Sequence, residues 1–356
     1  MAIFGALFHV APYWHAASQV PSGWIFTGEI NGSPDVMQYR VWTRQSQKTG
    51  VLVDNRFTGE ANKPHLPVVF YYAIGKISEW SKISPEFVVI CLGSVFAFGL
   101  IVFLFAIVRH FMITPYQTWW VFLIIVLGGG LGAYLKILNF IDLGHYSYVL
   151  KQTVIDGYRA QPVFEDYRSH YVFITLFDTH FLLIWLVALA SILSFYFTLR
   201  QFSWGRAVLT GILFATATVL HVYEGVTLVV VTLAVAFVFW RKGFELRPAL
   251  TTTAVCTLFV IACLTWIFLL YRSSGLPPPT WRGLTIPIST LLIAYPLAWL
   301  MMAFGLGQYW RNARFDECFL LGWALGCTAL TLSGPFYPYP DRGTMTLQVP
   351  IYIIAG

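Results

Sequence analysis

Long apolar runs without charge recur along this chain, and no other feature constrains its fold as strongly. Runs at 86–108, 118–138, 181–199, 207–221, 224–240, 250–271, 285–307 and 317–333 each approach the ~20 residues that a helix needs to cross ~30 Å of hydrocarbon. Lipid offers no partner to backbone N–H and C=O groups, so a crossing segment must satisfy them internally, as a helix does. A transmembrane β-barrel would show alternating segments of about ten residues, whereas these runs are apolar on every face. Composition agrees: 58% of the 356 residues are hydrophobic, 11% are charged and mean hydropathy is +0.68, against about a quarter charged in soluble domains. The expected fold is all-α: one polytopic transmembrane helical bundle over 1–356, with about eight complete spans and partial ones at the termini.

The N-terminal stretch MAIFGALFHVAPYW lacks a basic leader and a clear small-residue cleavage site, so it makes a poor signal peptide. It reads as the tail of a first spanning helix. The C-terminal LQVPIYIIAG also stops within an apolar run, and the chain therefore reads as a fragment or as a frame that is short at both ends. Cys91, Cys256, Cys263, Cys318 and Cys327 stand singly and mostly within apolar runs, without CxxC or Cys/His spacing. They read as packing residues rather than metal ligands or a disulfide framework.

Charge orients the bundle. The short connections contain Arg109; Arg200 and Arg206; Arg241, Lys242 and Arg247; and Arg311 and Arg314. These basic loops are expected on the cytoplasmic side. They account for nearly all of the formal charge of +6, so the positives do not form a nucleic-acid surface, and nucleic acid is not an expected partner; the lipid bilayer is. The long polar segments then fall on the extracytoplasmic side, above all a first loop at 22–85 and a second at 139–180. Ser84-Pro85-Glu86 marks a helix start, with Ser as cap, Pro at the first helical position and Glu against the positive helix end. Ser33-Pro34-Asp35 repeats that signal and predicts a helix over 34–49 that lies on the membrane surface. A second interfacial helix is predicted over 66–79, too short to span. The runs 207–221 and 224–240, separated by His221-Val222-Tyr223-Glu224, predict a tight helical hairpin. Its first arm reaches about 22 Å, so the His and Glu at the tip are held near or just below the membrane surface.

Candidate chemistry gathers in the extracytoplasmic segments. Asp35 sits in a first helical turn, where free N–H groups and the helix dipole favour the ionised carboxylate. Such a group can cap its helix, take a proton from an attacking hydroxyl, or hold a divalent cation such as Mg or Mn. Tyr39 and Arg40 follow on the same helix and are candidate substrate-binding residues. In the segment DNRFTGEANKPH, Arg56, Lys63 and His65 can grip a phosphate, or simply solvate a loop. Asp178 and His180 precede a span and offer either a ligand or acid/base pair, or a helix cap with a structural hydrogen bond. His221 and Glu224, three residues apart at membrane depth, are the sharpest single signal, since ionisable groups there are usually functional; the plainer reading is a pair that closes the hairpin. Gly128-Gly129-Gly130-Leu131-Gly132 lacks the strand and the GK[ST] of a phosphate loop and reads as helix packing. Arg342 follows the Tyr337-Pro338-Tyr339-Pro340 loop before the last apolar run and is a further phosphate-binding candidate.

The layout resembles the GT-C superfamily of multi-spanning glycosyltransferases. The resemblance is carried by GEINGSPDVMQYRVWTRQSQKTG in the first loop, by the hairpin with HVYEG, and by VDNRFTGEANKPHLPVVFYYAIGKIS and ITLFDTHFLLIWLVALA, which look like segments of uncharacterised bacterial members. It implies a polyprenyl-phosphate-linked sugar as donor, an inverting transfer at the outer face of a bacterial inner membrane, and Asp35 as base or cation ligand. It also implies His221 and Tyr223 at the hairpin tip as site residues. Many members carry paired acids where this chain has Pro34-Asp35-Val36, a departure from the paired-carboxylate pattern. A non-catalytic assembly subunit would keep the same topology without needing Asp35. A transporter would concentrate ionisable groups near the bilayer midplane, where this chain has few.

Overall fold

A computed structural model describes residues 1–24, 26, 28, 34–57, 60–127, 175–176, 178–276, 299–300, 302–303, 307, 314–333 and 346–356, with the backbone alone at 34–36. The described part is helical apart from one two-residue ladder. In chain order its elements are α1 (Ala2–Ser18), α2 (Pro34–Thr49), β1 (Leu52–Val53), β2 (Leu66–Pro67), α3 (Val69–Ser81), α4 (Pro85–Phe111) and α5 (Pro115–Leu127). Then follow α6 (Thr179–Arg200), α7 (Trp204–Leu220), α8 (Val222–Arg241), α9 (Arg247–Ser273), α10 (Phe315–Thr331) and α11 (Gln348–Ala355). Four of these helices, α4, α6, α8 and α9, are long and apolar enough to cross a membrane. The chain is an integral membrane protein, with four such helices among the described residues. The expected run at 285–307 and the second half of 118–138 lie largely outside the described residues, as do most of the second loop, Gly128–Gly132 and Arg342.

Exposed apolar surface marks the lipid-facing sides. Leu258, Ile261, Phe268 and Leu269 on α9 and Val95, Phe98 and Val102 on α4 are exposed, a pattern that would be an aggregation hazard in water and is ordinary against acyl chains.

The chain forms two compact units. The first comprises 1–102, 176–229 and 251–281; the second comprises 103–175, 230–250 and 282–356. In the first unit α2 begins at Pro34, as the Ser-Pro-Asp signal predicts. The start of α4 at Pro85 is capped by Ser84, whose Oγ accepts the Phe87 N–H at 3.3 Å. The second interfacial helix differs from expectation. It spans Val69–Ser81, because Leu66 and Pro67 pair with Val53 and Leu52 in an antiparallel ladder. Pro67 has no N–H to give a helix, and an edge ladder costs it nothing. The His65 N–H donates to the Val53 carbonyl at 3.0 Å and the Val68 N–H to the Val51 carbonyl at 2.9 Å. Loop 54–65 is thereby cinched at its base, while Val53, Val68, Phe70, Tyr71, Ile74 and Val88 form a small core beneath α2.

α1 is tied to α4 and α6 by His9, a residue that the sequence reading passed over. The ring is fully buried. Its Nδ1 lies 2.6 Å from the Leu176 carbonyl; a carbonyl only accepts, so Nδ1 carries the proton. Nε2 faces the Thr179 hydroxyl at 3.4 Å, and that hydroxyl donates to the Val89 carbonyl at 3.1 Å. Gly93 makes the room: a Cβ there would run into the His9 ring and the Thr179 Oγ1. Gly93→Ala is therefore expected to cost about 1–3 kcal/mol by overpacking. Gly99→Ala, whose Cβ would meet only Leu186 methyls at 3.8 and 4.0 Å, is expected to be neutral or slightly stabilising through helix propensity. Thermal unfolding of the detergent-solubilised variants checks this, and equal behaviour of the two would remove His9 as a packing constraint.

In the second unit α10 packs on the 230–250 part of α8 through Gly322 and Gly326. A Cβ at Gly322 would stand 2.5 Å from the Val235 Cα, and one at Gly326 would stand 2.7 Å from the Val231 Cα. Trp323 is buried beside them, with its indole N–H donating to the Thr346 hydroxyl at 3.1 Å.

Candidate functional site

In the first unit the beginnings of α6 and α8 and the end of α7 meet the α2–α3 layer, and a run of rings joins these segments. Tyr39 of α2 stacks on Tyr71 of α3, with centroids 4.9 Å apart and planes at 19°. Tyr71 stacks in turn on His180, at 5.6 Å and 16°. Phe70 closes on the same imidazole at 5.7 Å, and Tyr39 itself is 5.5 Å from it. The His180 and His221 rings are 6.2 Å apart, and Tyr223 lies 5.5 Å beyond His221.

Local structure explains each placement. Asp178 is the N-cap of α6: its Oδ1 accepts the His180 N–H at 3.0 Å and the Phe181 N–H at 3.3 Å. The carboxylate thus serves two of the helix's orphan donors, and the cap leaves His180 in the first turn against the stacked tyrosines. The hairpin turn is tighter than its sequence suggests, because only His221 leaves helical geometry. Its backbone is extended (φ −153°, ψ 105°), its N–H still bonds the Ala217 carbonyl at 2.9 Å, and its own carbonyl accepts the Glu224 N–H at 3.0 Å. Gly225 permits this, since any Cβ there would collide with the Thr218 side chain.

At this tip the His221 Nδ1 is 3.4 Å from a Glu224 carboxylate oxygen, and the Glu224 side chain is only 1% exposed. The separation is an ion-pair distance rather than a short hydrogen bond. Both atoms are buried and make no hydrogen bond among the described residues, so the two groups are neighbours at the hairpin tip rather than a bonded pair. The arrangement is a histidine beside a buried acid, and a small rotation of either side chain would let the acid hold one ring nitrogen while the other takes or gives a proton.

Other sequence candidates lie elsewhere. His65 is buried, with Nδ1 2.8 Å from the Lys63 carbonyl and its ring edge-on to Tyr271 at the end of α9. The Lys63 N–H donates to the Ser274 carbonyl at 3.2 Å, while the Lys63 side chain is exposed. Arg56 is exposed and 3.5 Å from Asp54. These residues fasten loop 54–65 to the end of α9. Asp35 stands in the first turn of α2, four residues before Tyr39; its side chain lies outside the described residues. Arg40 lines a separate groove of about 450 Å³ together with Phe26, Met37, Val41, Arg44, Ser84 and Glu86. On α3, the Lys76 ammonium is hydrogen-bonded to Glu79 at 2.7 Å, which raises its pKa. Among the described residues no three of His, Cys, Asp and Glu stand together at metal-binding distance.

The sequence reading did not single out Tyr71 and Phe70, which build one wall of the cluster. Their signal was the aromatic density of VFYYAIG in a segment too short to span, where amphipathic rings favour the membrane interface.

No protein-family model, curated protein or solved structure matches this chain. Its function has to be argued from the site itself.

Proposed function

We propose that this chain is a glycosyltransferase that moves a sugar from a polyprenyl-phosphate donor to an acceptor hydroxyl or amine at the extracytoplasmic face of a bacterial inner membrane. About eight spans would carry the site, four of them being the long helices described above. The observation that supports the reading best is the convergence of Tyr39 of α2, His180 at the start of α6 and the His221–Glu224 pair at the α7–α8 tip. Charged and hydrogen-bonding groups at the end of apolar helices suit a substrate whose reacting head is polar and whose tail belongs in lipid.

In this reaction the acceptor oxygen or nitrogen bonds to the anomeric carbon while the bond from that carbon to the phosphate oxygen breaks. The electron pair leaves on the polyprenyl phosphate, the acceptor proton passes to a base, and configuration inverts. Asp35 is the proposed base or cation ligand. Glu224 orients His221, whose Nε2 then faces the reacting groups. Tyr39 and Tyr223 offer flat faces to the sugar ring, and Arg56 and Lys63 of the same unit are the candidate phosphate grips. Holding both substrates in this orientation supplies much of the acceleration. Asp178 is already committed to its helix cap, and its role is to hold His180 in place.

The test is transfer of labelled sugar from a panel of polyprenyl-phosphate sugars by the full chain in nanodiscs. His221→Asn is the informative variant. Its amide nitrogen can replace Nδ1 towards Glu224, but it places no proton acceptor at the Nε2 position. It is expected to keep the wild-type melting temperature and lose at least ~100-fold in rate, the scale for losing a proton-transfer group. Absence of transfer from every donor by wild type, or full activity in His221→Asn, would overturn the reading.

A further inference from the structure

The groove beside α2 holds a cation that is unpartnered among the described residues. Among the described residues the buried Arg40 Nη2 has no hydrogen-bond partner, an unfavourable state for a guanidinium unless a ligand completes it. The neighbouring Arg44 is 3.4 Å from Glu86, so that pair is largely self-neutralised, and among the described groove residues Arg40 supplies the unpaired positive charge. Phe26, Met37 and Val41 form the apolar part of the wall. Gly28, with φ +75°, lies where a Cβ would stand 2.9 Å from the Glu86 Cβ and 3.6 Å from the Arg40 Nη2; a larger residue would narrow the groove at the guanidinium.

The position of the groove identifies its occupant. Ser84 and Glu86 belong to the cap and first turn of α4, an apolar helix long enough to cross the bilayer. The groove is therefore level with the phospholipid headgroups. We infer that it binds the phosphate of an anionic phospholipid, with the Arg40 guanidinium on the phosphate oxygens and the glycerol and upper acyl chains along Phe26, Met37 and Val41. Guanidinium suits this role because its planar fork matches two phosphate oxygens and it is weakly hydrated. The site is independent of the proposed transfer reaction. Successive helical residues project about 100° apart, so Tyr39 turns to the stacked rings while Arg40 turns to the groove.

The experiment is thermal unfolding of the full chain in a neutral detergent, titrated with phosphatidylglycerol, with phosphatidylcholine and with inorganic phosphate, using no sugar donor. Phosphatidylglycerol is expected to raise the melting temperature by several degrees, and the two controls to do little. In Arg40→Gln the titration midpoint should rise at least about tenfold, the scale of a lost charge-assisted bond, while Arg44→Gln shifts it less. Should Arg40→Gln fail to fold, Arg40→Lys, which keeps the charge and loses the fork, must still weaken the midpoint severalfold. An unchanged midpoint in the Arg40 variants overturns the site. Equal stabilisation by phosphatidylcholine overturns the charge recognition, and equal stabilisation by inorganic phosphate overturns the assignment to a bilayer lipid.

Discussion

Alanine at Gly322 or at Gly326 is expected to destabilise the protein by about 1–3 kcal/mol each, although alanine is the better helix former by about 1 kcal/mol. The sign follows from what the new methyl group meets. At both positions the nearest atom is a Cα of α8, that of Val235 at 2.5 Å and that of Val231 at 2.7 Å. A side chain can rotate away, but a backbone inside a hydrogen-bonded helix cannot, so the whole helix pair must separate. In lipid that separation is costly, because close backbone packing, rather than the hydrophobic effect, holds such helices together. The double variant should lose less than the sum of the two, since the second methyl group enters an interface already opened by the first. Gly205→Ala, with nothing within 4 Å of its Cβ, is the control. Denaturant or thermal unfolding in detergent checks the series, and wild-type stability in the Gly322 and Gly326 variants would show that the two helices do not approach this closely.

The transfer reaction makes a sharp demand on Asp35. Asparagine has nearly the shape of aspartate and forgoes only the charge–dipole contribution of a first-turn acid, about 0.3–1 kcal/mol, but it takes no proton and holds a cation weakly. On the proposed mechanism, Asp35→Asn leaves expression and melting temperature nearly unchanged and reduces transfer from a lipid-linked donor by at least ~100-fold. If Asp35 serves α2 alone, Asp35→Asn and Asp35→Ala each cost about 0.3–1 kcal/mol of stability and leave the transfer rate unchanged. The rate of sugar transfer, measured beside the melting temperature of each variant, separates the two. A fully active Asp35→Asn removes Asp35 from the chemistry and with it the main residue-level support for glycosyl transfer.

What the sequence determined by itself is whatever depends on periodicity and local chemistry. Segment length against bilayer thickness identified α4, α6, α8 and α9. The Ser-Pro-acid signals marked the starts of α2 and α4 to the residue, because a cap, a fixed φ and a dipole all act within one turn. His221 and Glu224 were legible as a pair because three residues at a helix start already bring them together. What only the tertiary structure decided are relations between distant segments. That Tyr39, Tyr71 and His180 stack with His221 edge-on beside them, that His65 turns to Tyr271, and that Arg40 opens on a different groove from Tyr39 depend on how α2 and α3 lie over the helix ends. No single element carries that information. Pro67 left α3 because a ladder with Leu52 used its missing N–H to no disadvantage. Gly93, Gly225, Gly322 and Gly326 looked like ordinary apolar-run glycines in the sequence; each became necessary only where a second helix arrived within the radius of a methyl group, and the partner that arrives is set by the packing of the whole unit.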